Sequence, residues 1–132
     1  MDITSLITNK DLENEGVWID GPEDSKFKIR SADSKPYKAR LAALSRRENP
    51  AKLRKDVQLQ TRLTIEAMAS DLLLDWQGIK ENGTDLAPTE ANKIKLLNIP
   101  QIRDLIATEA QDVANFQAEG LAADAADIKS GD

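Results

Sequence analysis

Ile65 to Ile79, IEAMASDLLLDWQGI, holds the densest apolar run of the chain, next to one of its two tryptophans, and has a glycine at its end. Ile65, Met68, Ala69, Leu72, Leu73 and Trp76 fall at i, i+3, i+4, i+7, i+8 and i+11. That spacing gathers side chains on one face of a 3.6-residue helix. Leu59, Leu63, Ala67 and Leu74 make a second apolar face, which leaves only a narrow polar strip of Gln60, Thr64, Asp71 and Asp75. The pattern predicts a central helix covered on more than one side. Its stop is Gly78, since glycine reaches left-handed backbone angles without steric cost.

Working back from this stretch, Asn49-Pro50 is a break, because proline disfavours helical geometry in the residue before it. The central helix is therefore expected to start at Ala51 and run to about Gln77. Its first turn carries Lys52, Arg54 and Lys55, the wrong sign for a helix N-terminus. Either the acidic N-terminal arm covers these cations or they form a surface for an acidic protein. Upstream, Tyr37, Leu41 and Leu44 predict an amphipathic helix that ends near Arg46 and Arg47 and begins after Asp33 or Ser34 as cap, with Pro36 in its first turn. Val17-Trp18-Ile19, the turn-forming Asp20-Gly21-Pro22, and Phe27 and Ile29 alternating with Lys26, Lys28 and Arg30 read as a β-hairpin with one wet face. Trp18 and Phe27 are its expected anchors.

Downstream, Lys80 to Pro88, KENGTDLAP, reads as a loop by composition, and it does not fit the calcium-loop pattern of an EF-hand. Thr89 is the expected cap of a short helix through Ile94, Leu96 and Leu97. Pro100 opens another, with Ile102, Leu105, Ile106, Val113 and Phe116 at helical spacing. The fold expected is mainly α: about four helices with a small N-terminal β-hairpin packed on them. Residues 1–16 are expected as a loose arm, 17–119 as a single helical domain, and 120–132 as an acidic flexible tail. Two apolar faces on one helix of so short a chain also suggest self-association.

The 132 residues suit one domain, and with 4% aromatic residues the core must rest on Leu, Ile and Ala. There is no cysteine and no histidine, which removes disulfides, thiolate and imidazole metal ligands, and the commonest general base near neutral pH. No phosphate-binding loop, nucleophile elbow or zinc motif occurs, so no enzyme and no cofactor is expected. Asp71 and Asp75, four apart on one predicted helix face, could share a metal or divide acid and base roles; solvated surface carboxylates are the better reading. The N-terminus has no basic region leading into an apolar one, and no run approaches the span of a bilayer. The chain therefore reads as soluble and unprocessed, with no membrane partner.

Net charge is −5, but it is unevenly spread. Residues 1–25 carry seven acidic groups and one basic, residues 26–55 two acidic and eleven basic, and residues 56–132 fourteen acidic and six basic. Neutralisation within the fold or across a subunit contact explains a basic block between acidic ends better than nucleic-acid binding does, since a DNA binder is usually basic overall.

Taken together, GVWI-x5-SKFKIR, the KPYKARLAAL helix and, above all, LLLDWQGI followed by KENGTDLAPTEANKIKLLNIPQIRDLI resemble the tail assembly chaperones of long-tailed bacteriophages. That family shows a hydrophobic helix ending in Asp-Trp-x-Gly, a polar loop, a proline before a helix cap, a Leu-Leu pair and a proline-led helix. Here these are Asp75, Trp76 and Gly78; Pro88 and Thr89; Leu96 and Leu97; and Pro100, within a match over roughly residues 16–118.

The resemblance implies a non-enzymatic factor of the host bacterial cytoplasm, absent from the mature virion, that binds the tape-measure protein and tail-tube subunits. It also implies that a longer frameshifted product can exist. The partner-binding residues expected on this reading are Leu59, Leu63 and Leu74 on the second apolar face, or the groove beside the last helix, with Lys52, Arg54 and Lys55 steering an acidic partner. Two other readings are a virion structural or head-tail connector protein, and a small nucleic-acid-binding regulator acting through residues 26–55.

Overall fold

A computed structural model describes residues 3–6 and 9–117. From a short 3-10 helix, Ile3–Leu6, the chain enters α1 (Lys10–Glu15), then β1 (Val17–Asp20) and β2 (Lys26–Ile29). Next come α2 (Lys35–Arg46), α3 (Pro50–Lys55), α4 (Val57–Asp71) and β3 (Leu73–Gln77). A second small hairpin, β4 (Lys80–Glu81) and β5 (Thr84–Asp85), leads to α5 (Glu90–Leu97), α6 (Pro100–Gln111) and a closing 3-10 turn, Val113–Phe116.

The decisive stretch is not one helix. It is helical to Asp71 and then becomes the third strand of a sheet ordered β1-β2-β3. Two interactions from β2's end stop the helix: the Arg30 backbone N–H donates to the Leu72 carbonyl at 2.9 Å, and the Arg30 guanidinium donates to the Asp71 carbonyl at 3.1 Å. Carbonyls that a further turn of helix would use are thereby taken. Beyond them, pairing with β2 aligns Ile19, Phe27 and Trp76 across one face of the sheet, with Ile29 opposite Leu73. All five are buried. Cross-strand packing of large side chains outweighs the local helical pattern. Leu74 is the extra residue of a bulge, because Lys28 faces Asp75 while Ile29 faces Leu73. Gly78, at φ 76°, follows a strand rather than a helix.

The same register corrects the hairpin anchors. Phe27 is fully buried, but Trp18 lies opposite Lys28 on the outer face and is 43% exposed, and Ile19 takes the inward position. The predicted loop at 80–88 begins as β4 and β5. Asn82 and Gly83 sit between them with φ of 53° and 80°, the backbone of a two-residue type I′ hairpin turn, which requires positive φ at both positions. The mainly α expectation, with about four helices and one hairpin, is thus overturned. The described residues form six helices, 59% helical, with a three-stranded and a two-stranded antiparallel sheet: a mixed α/β fold.

The helix expected from Ala51 to Gln77 is also broken at its start. Asp56 ends α3 and caps α4, its carboxylate accepting the Leu59 N–H at 3.0 Å. Lys52, Arg54 and Lys55 therefore lie in the last turn of α3, where the helix dipole favours cations. The sign conflict read from the sequence disappears.

The core lies between the inner face of the sheet and the helices. Phe27, Ile29, Leu73, Leu97 and Ile106 are fully buried, joined by Met68, Leu72 and Phe116. Residues 9–16, expected within a loose arm, are tied down as α1: Asn9 N donates to Phe116 O at 2.7 Å, Ser31 N to Glu13 O at 3.2 Å, and Lys35 N to Asn14 Oδ1 at 3.1 Å. The expected acidic tail, residues 120–132, lies outside the described residues.

Candidate functional site

The leucine face expected to bind a partner is split by the fold. Leu59, Leu63 and Ala67 are 3%, 5% and 0% exposed, on the part of α4 that the rest of the chain covers. Leu74 is half-buried at the bulge, its Cδ1 only 2.9 Å from where a Cβ on Gly16 would stand. Leu59, Leu63 and Ala67 thus belong to the core, and Leu63 reaches the surface only at the floor of a shallow groove lined also by Leu41, Leu53 and Gln60.

The open apolar surface lies elsewhere on α4. Val57, Thr61 and Ile65, with Ile94 and Asn98 at the facing side of α5, line a groove of about 460 Å3 rimmed by Gln58, Arg62 and Glu66. Val57 is 70% exposed, the most exposed of the large hydrophobic residues described. Asp56 determines this placement. By capping α4 it makes Val57 the first helical residue, set directly after the cationic turn of α3.

The groove rim carries one charge of each sign, Arg62 and Glu66, and α4 follows directly on the cationic last turn of α3. Lys52, Arg54, Lys55 and Arg62 are exposed. The ion pairs among the described residues are Lys10–Glu13, Lys26–Asp20, Arg30–Asp71, Arg40–Asp71 and Lys95–Glu81, so none of these four cations is matched. The acidic arm does not cover them: α1 packs on the closing 3-10 turn, and its Glu13 pairs with Lys10. A cluster of unmatched cations beside an open apolar groove fits an amphipathic, acidic segment, with apolar contacts for affinity and charge for steering.

Asp71 and Asp75 do not share a helix face. Asp71 closes α4, where Arg40 Nε donates to it at 2.9 Å, Ser70 Oγ at 2.8 Å, and Arg30 Nη1 stands 3.6 Å away. Burial pushes its carboxyl up, but the hydrogen bonds from Arg40 and Ser70 and the charges of Arg40 and Arg30 outweigh burial and hold it below the ordinary value. Asp75 lies on β3 and accepts its neighbour's N–H, from Trp76, at 2.8 Å. Trp76 in turn donates its indole N–H to the Leu86 carbonyl at 2.7 Å, which fastens the segment after β5 to the sheet. Both carboxylates are thus structural. Among the described residues no group of three or more acidic side chains converges as metal ligands do, and no helix is long and apolar enough to cross a membrane.

Searches of curated proteins and of solved structures give no significant match. A family model does match, over residues 31–127, described as the YdaY prophage protein. The matched span contains α3, the groove and the first ten residues beyond Gln117, and leaves out α1, β1 and β2. With most of the sequence matched, the chain belongs to the YdaY prophage protein family.

Proposed function

We propose that this prophage protein is a non-enzymatic tail assembly chaperone, and that its α4–α5 groove holds an apolar, acid-flanked helical segment of the tape-measure protein. The observation that carries this reading is the 70% exposure of Val57 in an apolar groove on α4, a helix that follows directly on the unmatched Lys52, Arg54 and Lys55 of α3. Membership of a prophage family and the resemblance of the Asp75-Trp76-x-Gly78 region to tail assembly chaperones support it. A tape-measure protein is a long helical chain that exposes apolar surface until tail-tube subunits enclose it. Masking such surface requires an apolar groove, and release to the tube requires only moderate affinity. On this reading the protein acts in the host bacterial cytoplasm, meets tail-tube subunits at hand-over, and is left out of the mature virion.

The test is co-expression with the tape-measure protein of the same genome, followed by tagged pull-down and a solubility assay. Wild type is expected to keep the long protein soluble and to co-purify with it. Val57→Glu should abolish capture with unchanged thermal unfolding, since the new carboxylate sits at an exposed first helical turn, where the dipole tolerates it. Leu63→Glu should instead lose the fold itself, because it buries a charge in the core. An insoluble tape-measure protein beside well-folded wild type overturns the chaperone reading, and this protein found in purified virions replaces it with a virion component.

A further inference from the structure

The two outer edges of the three-stranded sheet are unlike. The Arg30 N–H goes to the Leu72 carbonyl, on the β3 side. Backbone direction alternates along a strand, so Lys26 and Lys28 also turn their N–H and C=O groups to β3, while Phe27 and Ile29 turn theirs to β1. Their partners Ile19 and Val17 answer from β1, and Gly21, in phase with them, donates to the Ser25 carbonyl at 2.8 Å. Trp18 and Asp20 therefore aim their N–H and C=O groups off the sheet, and no described residue bonds those four groups.

The β3 edge is closed. It bulges at Leu74, the Trp76 N–H is taken by the Asp75 carboxylate, and the Trp76 indole fastens the segment after β5 to it. Bulges and covering segments protect a sheet edge from further pairing, as do lysine and proline on the strand itself. β1, Val17-Trp18-Ile19-Asp20, has none of these and carries the exposed Trp18. Three antiparallel registers would set the outward-facing residues of β1 opposite those of a second copy. With Trp18 opposite the partner's Trp18, Asp20 meets the partner's Gly16, whose N–H already donates to Leu12 at 2.9 Å. With Asp20 opposite the partner's Asp20, like charges face each other and Trp18 meets the partner's Pro22, which has no N–H. Only with Trp18 opposite the partner's Asp20 are all four groups of each edge satisfied, by the same four groups of the other.

We infer that a second copy of this chain pairs antiparallel along β1, with Trp18 opposite the partner's Asp20 and Asp20 opposite the partner's Trp18. The two three-stranded sheets then form one continuous sheet about a twofold axis at Ile19. Four main-chain hydrogen bonds join the copies. On the outer face Trp18 lies between Lys28 of its own chain and the partner's Asp20, which is paired with the partner's Lys26, so the indole that one copy leaves exposed is covered. The contact is small, and the dimer it makes is weak and reversible. It uses neither the α4–α5 groove nor the chaperone reading.

Amide exchange and sedimentation of the full-length protein test this together. The Trp18 and Asp20 amides are expected to exchange fast in dilute solution and slowly in concentrated solution, and those of Val17 and Ile19, already bonded to β2, to be protected in both. Well above the dissociation constant the free fraction falls as the inverse square root of concentration, so about a hundredfold rise in protein slows the two edge amides about tenfold. Sedimentation should show monomer passing to dimer over the same range. Trp18→Asp places a carboxylate opposite the partner's Asp20 and should leave a monomer with unchanged far-UV circular dichroism. Trp18→Arg, which meets that carboxylate with a cation, should keep the dimer. Edge amides that exchange alike at both concentrations overturn the proposal, whatever the variants do. So does a dimer that survives Trp18→Asp, which places the contact elsewhere, or one lost equally in Trp18→Arg, which denies the register. Edge protection that appears only on adding the tape-measure protein also overturns it, and gives β1 to a strand of that protein.

Discussion

Replacing Arg30 by methionine tests the junction on which the mixed fold depends. The guanidinium donates to the Asn14 carbonyl at 2.6 Å and to the Asp71 carbonyl at 3.1 Å, and stands 3.6 Å from the Asp71 carboxylate. It therefore joins the end of α1 to the end of α4 from a residue just past β2. Methionine keeps the apolar stem and the backbone N–H bonded to Leu72, and removes every side-chain donor. Hydrogen bonds to a charged group contribute about 1.5 to 3 kcal/mol each. Water replaces part of this, because the Arg30 side chain is 22% exposed, and the long ion pair adds less than about 1 kcal/mol. The expected loss is about 2 to 4 kcal/mol of a total of about 5 to 15. In urea, with a slope of about 2 kcal/mol/M, the midpoint falls by about 1 to 2 M, followed by tryptophan fluorescence from Trp76 and Trp18. Hydrogen exchange of residues 9–16 should rise well before global unfolding, since α1 loses its tie through Asn14. Arg30→Lys should recover only the ion-pair share, as an ammonium cannot reach both carbonyls with a rigid fork. A midpoint within about 0.2 M of wild type for Arg30→Met, with α1 exchange unchanged, refutes the guanidinium's share in ending α4 and holding α1.

Ser34 stands at the N-cap of α2 but makes no side-chain cap bond, and its Oγ is buried without a partner. Ser34→Ala should therefore be neutral or stabilising by up to about 1 kcal/mol, where the ordinary cap rule expects a loss of about that size; urea midpoints decide, and a clear destabilisation means that the hydroxyl is bonded. The folded-state pKa of Asp71 is depressed, so its contribution is present above the unfolded value of about 3.9 and is lost as pH falls through the lower folded value. Asp71→Asn should be less stable than wild type at pH 7 and show a flatter decline of stability below about pH 4; parallel declines for the two proteins would show that the Arg40–Asp71 pair is not what acid breaks.

What the sequence concealed follows from range. Leu72, Leu73 and Trp76 fit a helical stripe better than the alternation of a regular strand, since only the bulge at Leu74 brings Leu73 and Trp76 inward together, and the arbiter, β2, lies nearly fifty residues upstream. No local signal carries that pairing. Local chemistry, by contrast, was legible: the N-cap of Thr89, the start at Pro100 and the β1–β2 hairpin appear as the residues dictate. Two local signals were present and passed over. Asn82-Gly83 between short flanks is a type I′ hairpin signature, and Asp56 before Val57 is an N-cap that divides the helix and moves the basic run to a favourable end. Of the expected site, Lys52, Arg54 and Lys55 are exposed and unmatched among the described residues, while Leu59 and Leu63 are core. The groove was missed because Val57 and Ile94 come together only when α5 packs on α4.

The bond from Asn9 to Phe116 sets a schedule for synthesis. At about 5 to 20 residues per second, a ribosome takes roughly 5 to 20 s to pass from one to the other. Throughout that interval the first helix has no turn to dock on, and until β3 has been made the first hairpin stands with its apolar face bare. Nascent chains of this protein are therefore open to chaperones and proteases until Phe116 has emerged, and the described fold closes late, as a clasp, on its last turn.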